Sequence, residues 1–452
     1  MLHGMKEIAS WLKAAVCAVF CLANAQADDW PQSLGPQRDG VWRESGIVRK
    51  FPDGGPKVRW RMPVGAGYSG PAVADGRVYL TDRKLKTGEK EQANPFDRGL
   101  IIGTERVLCL DEKSGEVLWS HEYDCPYSIS YAAGPRATPL VENGRVYILG
   151  AEGNLFCFDA VNGTRIWSLD FNESFKIPTP LWGFSAHPLI EGNKLICLVG
   201  GKGSTVVAFD KNSGKELWRA LSAKEPGYCP PTIFTVNGKR QLIIWHPEAI
   251  SGLNPETGEI YWTEDYNVQS ALTVSTPRLW NKDHLFMTAF YNGSRLYRFN
   301  EDSKGVELIW QTKKPSEKDT EHLHSIMSTP IIEGNYVYGT CSYGELRCLK
   351  VPTGERIWET FAATTADGKP ARWANAFLVK NGDRFLLWNE KGDLILANLS
   401  PRGYEEISRA HLLKPTNSAA GRSVLWSHPA FANGAIFVRN DEELLCAELR
   451  AP

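Results

Sequence analysis

The chain has 452 residues, a formal net charge of −1 and 42% hydrophobic residues. A charge this close to zero gives no global field toward nucleic acid or an anionic membrane. The apolar content is well above that of disordered chains, and the length suits two average domains or one large repeat architecture.

The first segment reads as a leader. Lys6 and Lys13 precede the apolar run AAVCAVFCLA at 14–23, and small residues follow at Ala23, Ala25 and Ala27. This is the layout of a cleavable Sec-type signal peptide over 1–27. The run is shorter than the about 20 residues that span a bilayer. Later runs are no longer, so the mature chain is expected to lack a membrane span and to be periplasmic or secreted. Cys17 and Cys21 lack the spacing of a lipid-attachment site. Residues 28–56 read as an extended N-terminal segment, and residues 57–450 as one repeat domain.

The repeat is a phrase that closes on Trp. It occurs as LDEKSGEVLW at 110–119, FDAVNGTRIW at 158–167, FDKNSGKELW at 209–218, LNPETGEIYW at 253–262 and LKVPTGERIW at 349–358. Each phrase is a strand, a turn in which Gly takes the positive φ, and a second strand. A second hairpin precedes each, as in ATPLVENGRVYILG at 137–150. One unit is therefore four short strands.

The closing Trp residues stand at 119, 167, 218, 262, 310 and 358, separated by 48, 51, 44, 48 and 48 residues. A seventh unit, 376–407, places Ile407 where the Trp would be. The last, 427–449, has only three strands, and KVRW at 57–60 can supply the fourth. The expectation is an all-β, eight-bladed β-propeller of four-stranded antiparallel blades, closed by the N-terminal strand pairing with the last blade. Each Trp is expected to wedge between neighbouring blades. Cys109, Cys157, Cys348 and Cys446 share one register and read as small buried hydrophobes. Cys125 and Cys229 lie in loops, where spacing does not determine pairing.

In this strand order the loops joining blades and those joining second to third strands share one face, and the tight turns lie on the other. Variable loops on a rigid scaffold are where function gathers. Candidate ligand-binding residues on that face are His187 and His428, which precede inner strands; His246 and Glu248 in IIWHPEA; His322 and His324 in EHLHSIMSTP; and Arg136, Trp182, Trp373 and Trp426. Aromatics with His and Arg can stack a planar ligand, bind sugar faces or hold an anion. His187 and His428 belong to blades three and eight, which should hold them far apart round the ring, and no ligand spacing indicates a metal. An insertion at 83–105 lies on the same face as a lid or partner surface. No GxSxG, HExxH or Walker loop is present, so no catalytic residue is assigned.

The phrase L-D-x-x-S/T-G-x-x-x-W resembles the tryptophan-docking repeat of the PQQ-like (quinoprotein-type, BamB-like) propellers, and WPQSLGPQRDGV at 30–41 is similar to the start of exported bacterial members. The resemblance covers nearly all of 30–450. It implies one of two activities. One is a non-catalytic scaffold, here expected to be a monomer binding an envelope or extracellular protein, peptide or glycan. The other is a quinoprotein dehydrogenase acting on an alcohol or sugar with PQQ and calcium. The vicinal Cys pair of many such dehydrogenases is missing, and their calcium ligands and catalytic Asp find no counterparts by position. The lipid-attachment Cys of the assembly lipoproteins is missing too.

Overall fold

The computed structural model describes residues 28–365 and 367–451, so the signal peptide expected over 1–27 lies outside the described residues. Strand β1 (Val58–Pro63) is followed by the first complete blade, β2 (Ala72–Ala74), β3 (Arg77–Leu85), β4 (Gly103–Asp111) and β5 (Val117–Asp124). Further four-stranded sheets span Leu140–Asp170, Leu189–Ala220, Thr232–Asp265, Arg278–Gln311, Ile331–Thr360 and Ala376–His411. The eighth combines Ala430–Ala432, Ala435–Arg439 and Glu443–Glu448 with β1. β1 pairs antiparallel with the last strand, Trp60 opposite Cys446 and Met62 opposite Leu444, so the two ends of the domain close one eight-bladed ring. A separate small hairpin, Asn417–Ala419 with Arg422–Val424, was not anticipated.

The repeated phrase works through two contacts. Its Asp caps the turn: Asp111 Oδ1 accepts from the backbone N–H of Lys113 and Ser114, and Asp159 Oδ1 from those of Val161 and Asn162. Its Gly lies under the Trp of the preceding blade. A Cβ on Gly163, at φ +73°, would meet Trp119 Cδ2 at 2.6 Å, and one on Gly115 would meet Trp60 equally closely at 2.6 Å. Gly214 and Gly258 are covered in the same way by Trp167 and Trp218. The indole N–H then crosses the blade boundary to a carbonyl, Trp60 to Glu112 at 2.8 Å, Trp119 to Ala160 at 3.1 Å and Trp310 to Val351 at 2.9 Å. Trp262 departs from the pattern and donates to Gln241 within its own blade.

A β-bulge one residue before the Trp recurs in the outer strands; the pairing skips Leu118 between Val117 and Trp119. In blade seven it skips Ile407, so Ser408, opposite Leu396, holds the Trp position. The sequence expectation was one residue out because the last hairpin of this blade is longer: Leu396 pairs with Ser408, twelve residues on, where Cys109 pairs with Trp119, ten residues on. Ser408 Oγ there accepts from the N–H of Phe51. Cys109, Cys157, Cys348 and Cys446 face Trp119, Trp167, Trp358 and Trp60 across their sheets and are fully buried. Cys125 and Cys229 are free thiols.

Residues 28–56 cross the tight-turn face. Trp30 exchanges backbone hydrogen bonds with Val73, Trp42 N–H donates to Lys380, and Val48 N–H donates to Leu449. Trp30, Trp42 and Phe51 are buried. Midway, the turn at Gln32–Arg38 enters the central channel. The Arg38 guanidinium donates to the carbonyls of Pro188 (2.9 Å), Pro231 (3.4 Å) and His187 (3.5 Å), while Arg278 donates to the Arg38 carbonyl at 3.0 Å. Burial lowers the Arg38 pKa to about 10, so it remains a cation at physiological pH, held by carbonyl dipoles. The channel is thus a blind well. Among the described residues no helix is long and apolar enough to cross a membrane.

Candidate functional site

The plug leaves a cavity of about 370 Å³ on the axis, open toward the loop-rich face. Ser33 and Leu34 from the plug line it, together with His187 and His428. The inner strands converge so tightly that the two imidazoles touch, with centroids 5.7 Å apart at 87°. The expectation that blades three and eight hold them far apart is therefore corrected: blade number measures angle, and near the axis a large angle is a short distance. His187 Nδ1 accepts from the Thr138 N–H at 3.0 Å, which leaves the ring proton on Nε2. Burial, then the neighbouring His428 and Arg38, pushes the His187 pKa well below its ordinary value; burial alone brings His428 to about 4. Both rings are neutral at pH 7.

The upper wall is aromatic. Tyr131 meets Trp426 at 6.0 Å, Trp373 at 6.4 Å and Phe96 at 5.2 Å between centroids, and Trp182 packs against Tyr228 at 5.5 Å. Trp426 Nε1 donates to Glu390 at 3.1 Å. Arg136 stands over the Tyr68 ring at 5.2 Å and donates to the carbonyls of Ser130, Tyr131 and Gly134. Arg372 lies 4.4 Å from the Trp373 ring and donates to Glu317 at 2.6 Å.

Phe96 comes from the blade-one insertion. β3 and β4 remain paired out to Leu85 opposite Gly103, so the ends of 83–105 are strand, and the free loop is 86–102. That loop reaches over the axis. Pro95 accepts from Tyr131 N–H, the Phe96 carbonyl accepts from Ser130 Oγ, and Arg98 donates to Ser128 and Thr179.

The structure thus brings together Arg136, Trp182, His187, Trp373, Trp426 and His428. It places the other four elsewhere. His246 Nδ1 accepts from Glu248 N–H at 3.3 Å, and Glu248 in turn accepts from Lys224 N–H. His322 stacks on Trp310 at 5.0 Å and bonds Thr312 Oγ1. His324 is fully buried, with Nδ1 3.0 Å from the Phe290 carbonyl. Burial lowers the pKa of all three imidazoles. The sequence reading missed Leu34, Phe96, Tyr228 and Arg372. Leu34 and Phe96 lay inside segments singled out for other reasons, and Arg372 adjoins a chosen Trp.

Taken together, the molecule is an eight-bladed propeller with a blind, aromatic axial well. A family model described as outer membrane protein assembly factor BamB matches residues 103–360 and again 202–450. The chain belongs to this PQQ-like, BamB-like repeat family. It is 22% identical over 357 residues to outer membrane protein assembly factor BamB of Shewanella oneidensis, covering 72% of this chain and 86% of that protein. It is also 27% identical over 171 residues to quinohemoprotein alcohol dehydrogenase ADH-IIG of Pseudomonas putida, but spans only 20% of that protein's length. Among solved structures, BamB from Moraxella catarrhalis matches 81% of this chain and 98% of its own at TM-score 0.52 and 16% identity. Quinohemoprotein alcohol dehydrogenase from Comamonas testosteroni matches 94% and 81% at TM-score 0.60 and 11% identity. At these identities the structural likeness shows the fold alone.

Proposed function

We propose that this chain is an exported, non-catalytic propeller that binds an envelope protein or peptide at its loop-rich face, acting as a monomer after removal of residues 1–27. The observation that carries this reading is the character of the axial well. Tyr131, Trp182, Trp373, Trp426 and Arg136 are of the residue types that dominate binding hot spots, and they gather at the centre of one face. The relatedness to BamB supports the same reading. A glycan partner is less well served, because the well is lined by no Asp, Asn, Glu or Gln and leaves only hydroxyls and backbone carbonyls to accept from sugar hydroxyls.

The alternative is a PQQ-dependent dehydrogenase acting on an alcohol or sugar, which the quinohemoprotein relatives favour. Calcium takes oxygen ligands, chiefly carboxylates, amides and carbonyls. The well supplies no side-chain carboxylate or amide for the ion, nor a carboxylate base, so its donor set does not fit a calcium-bound quinone.

The test is capture from envelope extract by the unaltered protein and by a version in which 87–100 is replaced by Asn-Gly, the turn other hairpins use. Ile101 is retained because it is buried and pairs with Tyr127. The expected result is at least a tenfold loss of the captured partner with thermal unfolding nearly unchanged. Ile309→Asp, on an exposed outer strand, should leave capture intact. Equal capture by the shortened and unaltered proteins would contradict the reading.

A further inference from the structure

Each blade turns the free edge of its inner strand toward the channel. The residue before the closing pair of the first hairpin points its N–H and C=O away from its own sheet. In blade one that residue is Val73, ahead of the pair Ala74–Arg77; in blade two it is Val141, and in blade seven Lys380. The N-terminal segment occupies all three edges. Trp30 exchanges both backbone bonds with Val73, Pro31 accepts from the Val141 N–H at 2.8 Å, and the Lys380 N–H donates to Gly40 at 2.9 Å. Leu279 in blade five and Ile332 in blade six hold the same place, ahead of Trp280–His284 and Glu333–Tyr336. Among the described residues neither has a backbone partner across the channel. Both line a groove of about 540 Å³ on the tight-turn face, between residues 39–43 and blades four to seven. It shares no lining residue with the axial well.

Charge narrows what the groove accepts. Asp39 is taken up by Arg43, and Lys380 by Glu333. Arg278 has no carboxylate. Its Nε donates to the Pro330 carbonyl at 2.9 Å and its Nη1 to that of Arg38 at 3.0 Å, while Nη2 is buried without an acceptor. Arg38, just behind it, bonds only carbonyls and Gln32. Two buried guanidiniums without a counter-charge favour an anionic neighbour. Side chains alternate across a strand, so Arg278 lies on one face of its strand and Leu279 on the other. A strand paired at Leu279 would set its own side chains beside them, acidic on the Arg278 face and aliphatic on the Leu279 face. The remaining walls, Trp42, Phe234 and Ile331, are apolar.

We propose that this groove takes an extended segment of a partner protein, alternating aliphatic and acidic residues, added as a strand to the inner edge of blade five with its carboxylates facing Arg278. The segment does there what Trp30, Pro31 and Gly40 do at blades one, two and seven. The site lies on the face opposite the loops and goes beyond the partner reading above.

The test is fluorescence anisotropy of the purified protein with a labelled, end-blocked peptide, Val-Glu-Val-Glu-Val. Saturable binding is expected, at least tenfold tighter than that of Val-Lys-Val-Lys-Val or of the first peptide with its backbone nitrogens methylated. Leu279→Pro removes the outward N–H and spares the ladder behind it, so it should weaken the peptide at least tenfold. Ile190→Pro, at the same place in blade three and outside the groove, should leave binding unchanged. If Leu279→Pro fails to fold, the methylated peptide decides. The inference is overturned if the acidic peptide does not bind, if the cationic or methylated peptide binds equally, if folded Leu279→Pro keeps full affinity, or if free glutamate binds as tightly. A dimer that forms without peptide and is lost in Leu279→Pro would make the occupant a second copy and overturn it too. The version with 87–100 replaced should bind the peptide normally. Normal peptide binding with envelope capture undiminished in that version would sink the loop-face reading alone, and capture lost with no peptide binding in either version would sink this inference alone.

Discussion

Gly163→Ala is expected to destabilise the protein by about 4 kcal/mol, whereas Gly144→Ala in the same blade should cost about 1 kcal/mol. Both glycines have left-handed backbones, φ +73° and +71°, so both substitutions incur the same backbone penalty. They differ in what the new methyl meets. At Gly144 nothing lies within 4 Å, while at Gly163 the indole of Trp119 stands at 2.6 Å. That contact must be relieved by moving either Trp119, whose N–H is fixed to the Ala160 carbonyl, or the turn. Overpacking of this kind costs roughly 1–3 kcal/mol beyond the backbone penalty. Denaturant unfolding measures both values, and a double-mutant cycle assigns the cause. With Trp119→Ala already made, Gly163→Ala should fall to about 1 kcal/mol, the Gly144 value. Equal costs at the two glycines in the unaltered background would show that the Trp–Gly contact does not hold the blades together.

Acidification from pH 7 to pH 4.5 is expected to cost roughly 2–3 kcal/mol of stability through His324 alone. Its pKa is lowered from 6.5 to about 4, first by burial and then by the nearby charges of Arg347 and His322, against a raising hydrogen bond to the Phe290 carbonyl. The folded state therefore keeps His324 neutral where the unfolded chain binds a proton. Between about pH 6.5 and 4 the unfolded state holds more protons, so stability is complete above 6.5 and falls as pH drops through that window. His428, held near the same value, adds in the same direction. Glu105 acts in the opposite sense: burial raises its pKa despite hydrogen bonds from Tyr123, Tyr127 and Ala151, so its protonation favours the fold. The difference between unaltered protein and His324→Asn isolates the histidine. Urea midpoints at the two pH values should converge in the variant by the stated amount, and an unchanged gap would contradict a neutral buried His324.

The ring was legible in the sequence because a propeller writes its period into the chain. The Trp spacing, the Gly turns and the missing strand of the last unit each report a local requirement of every blade. KVRW at 57–60 does pair with the last sheet. The register at Ile407 was not legible, since the last hairpin of blade seven is longer than that of blade one and carries no Trp to mark the position. Neither was the plug. Arg38 is held by backbone carbonyls of residues 187, 188 and 231, and any sequence supplies carbonyls.

The site was legible in angle but not in radius. Strand order fixed which face carries the loops, and six of the ten chosen residues line the well on that face. Distance from the axis depends on loop course, which has no periodicity. His322 and His324 sit on the correct loop but turn inward, His322 against Trp310 and His324 against the Phe290 carbonyl. Phe96 was hidden because it arrives from a loop whose anchors, Ser128, Ser130 and Thr179, lie far away in the chain.

On the proposed reading the partner binds the loop-rich face, around the covered axial well, and photo-cross-linking in intact cells shows whether it does. A photoreactive phenylalanine analogue placed at 96, over the well, should cross-link to a discrete envelope protein, while the same analogue at 309, on the outer edge of blade five, should not. Cross-links from 309 with none from 96 would contradict that placement of the partner.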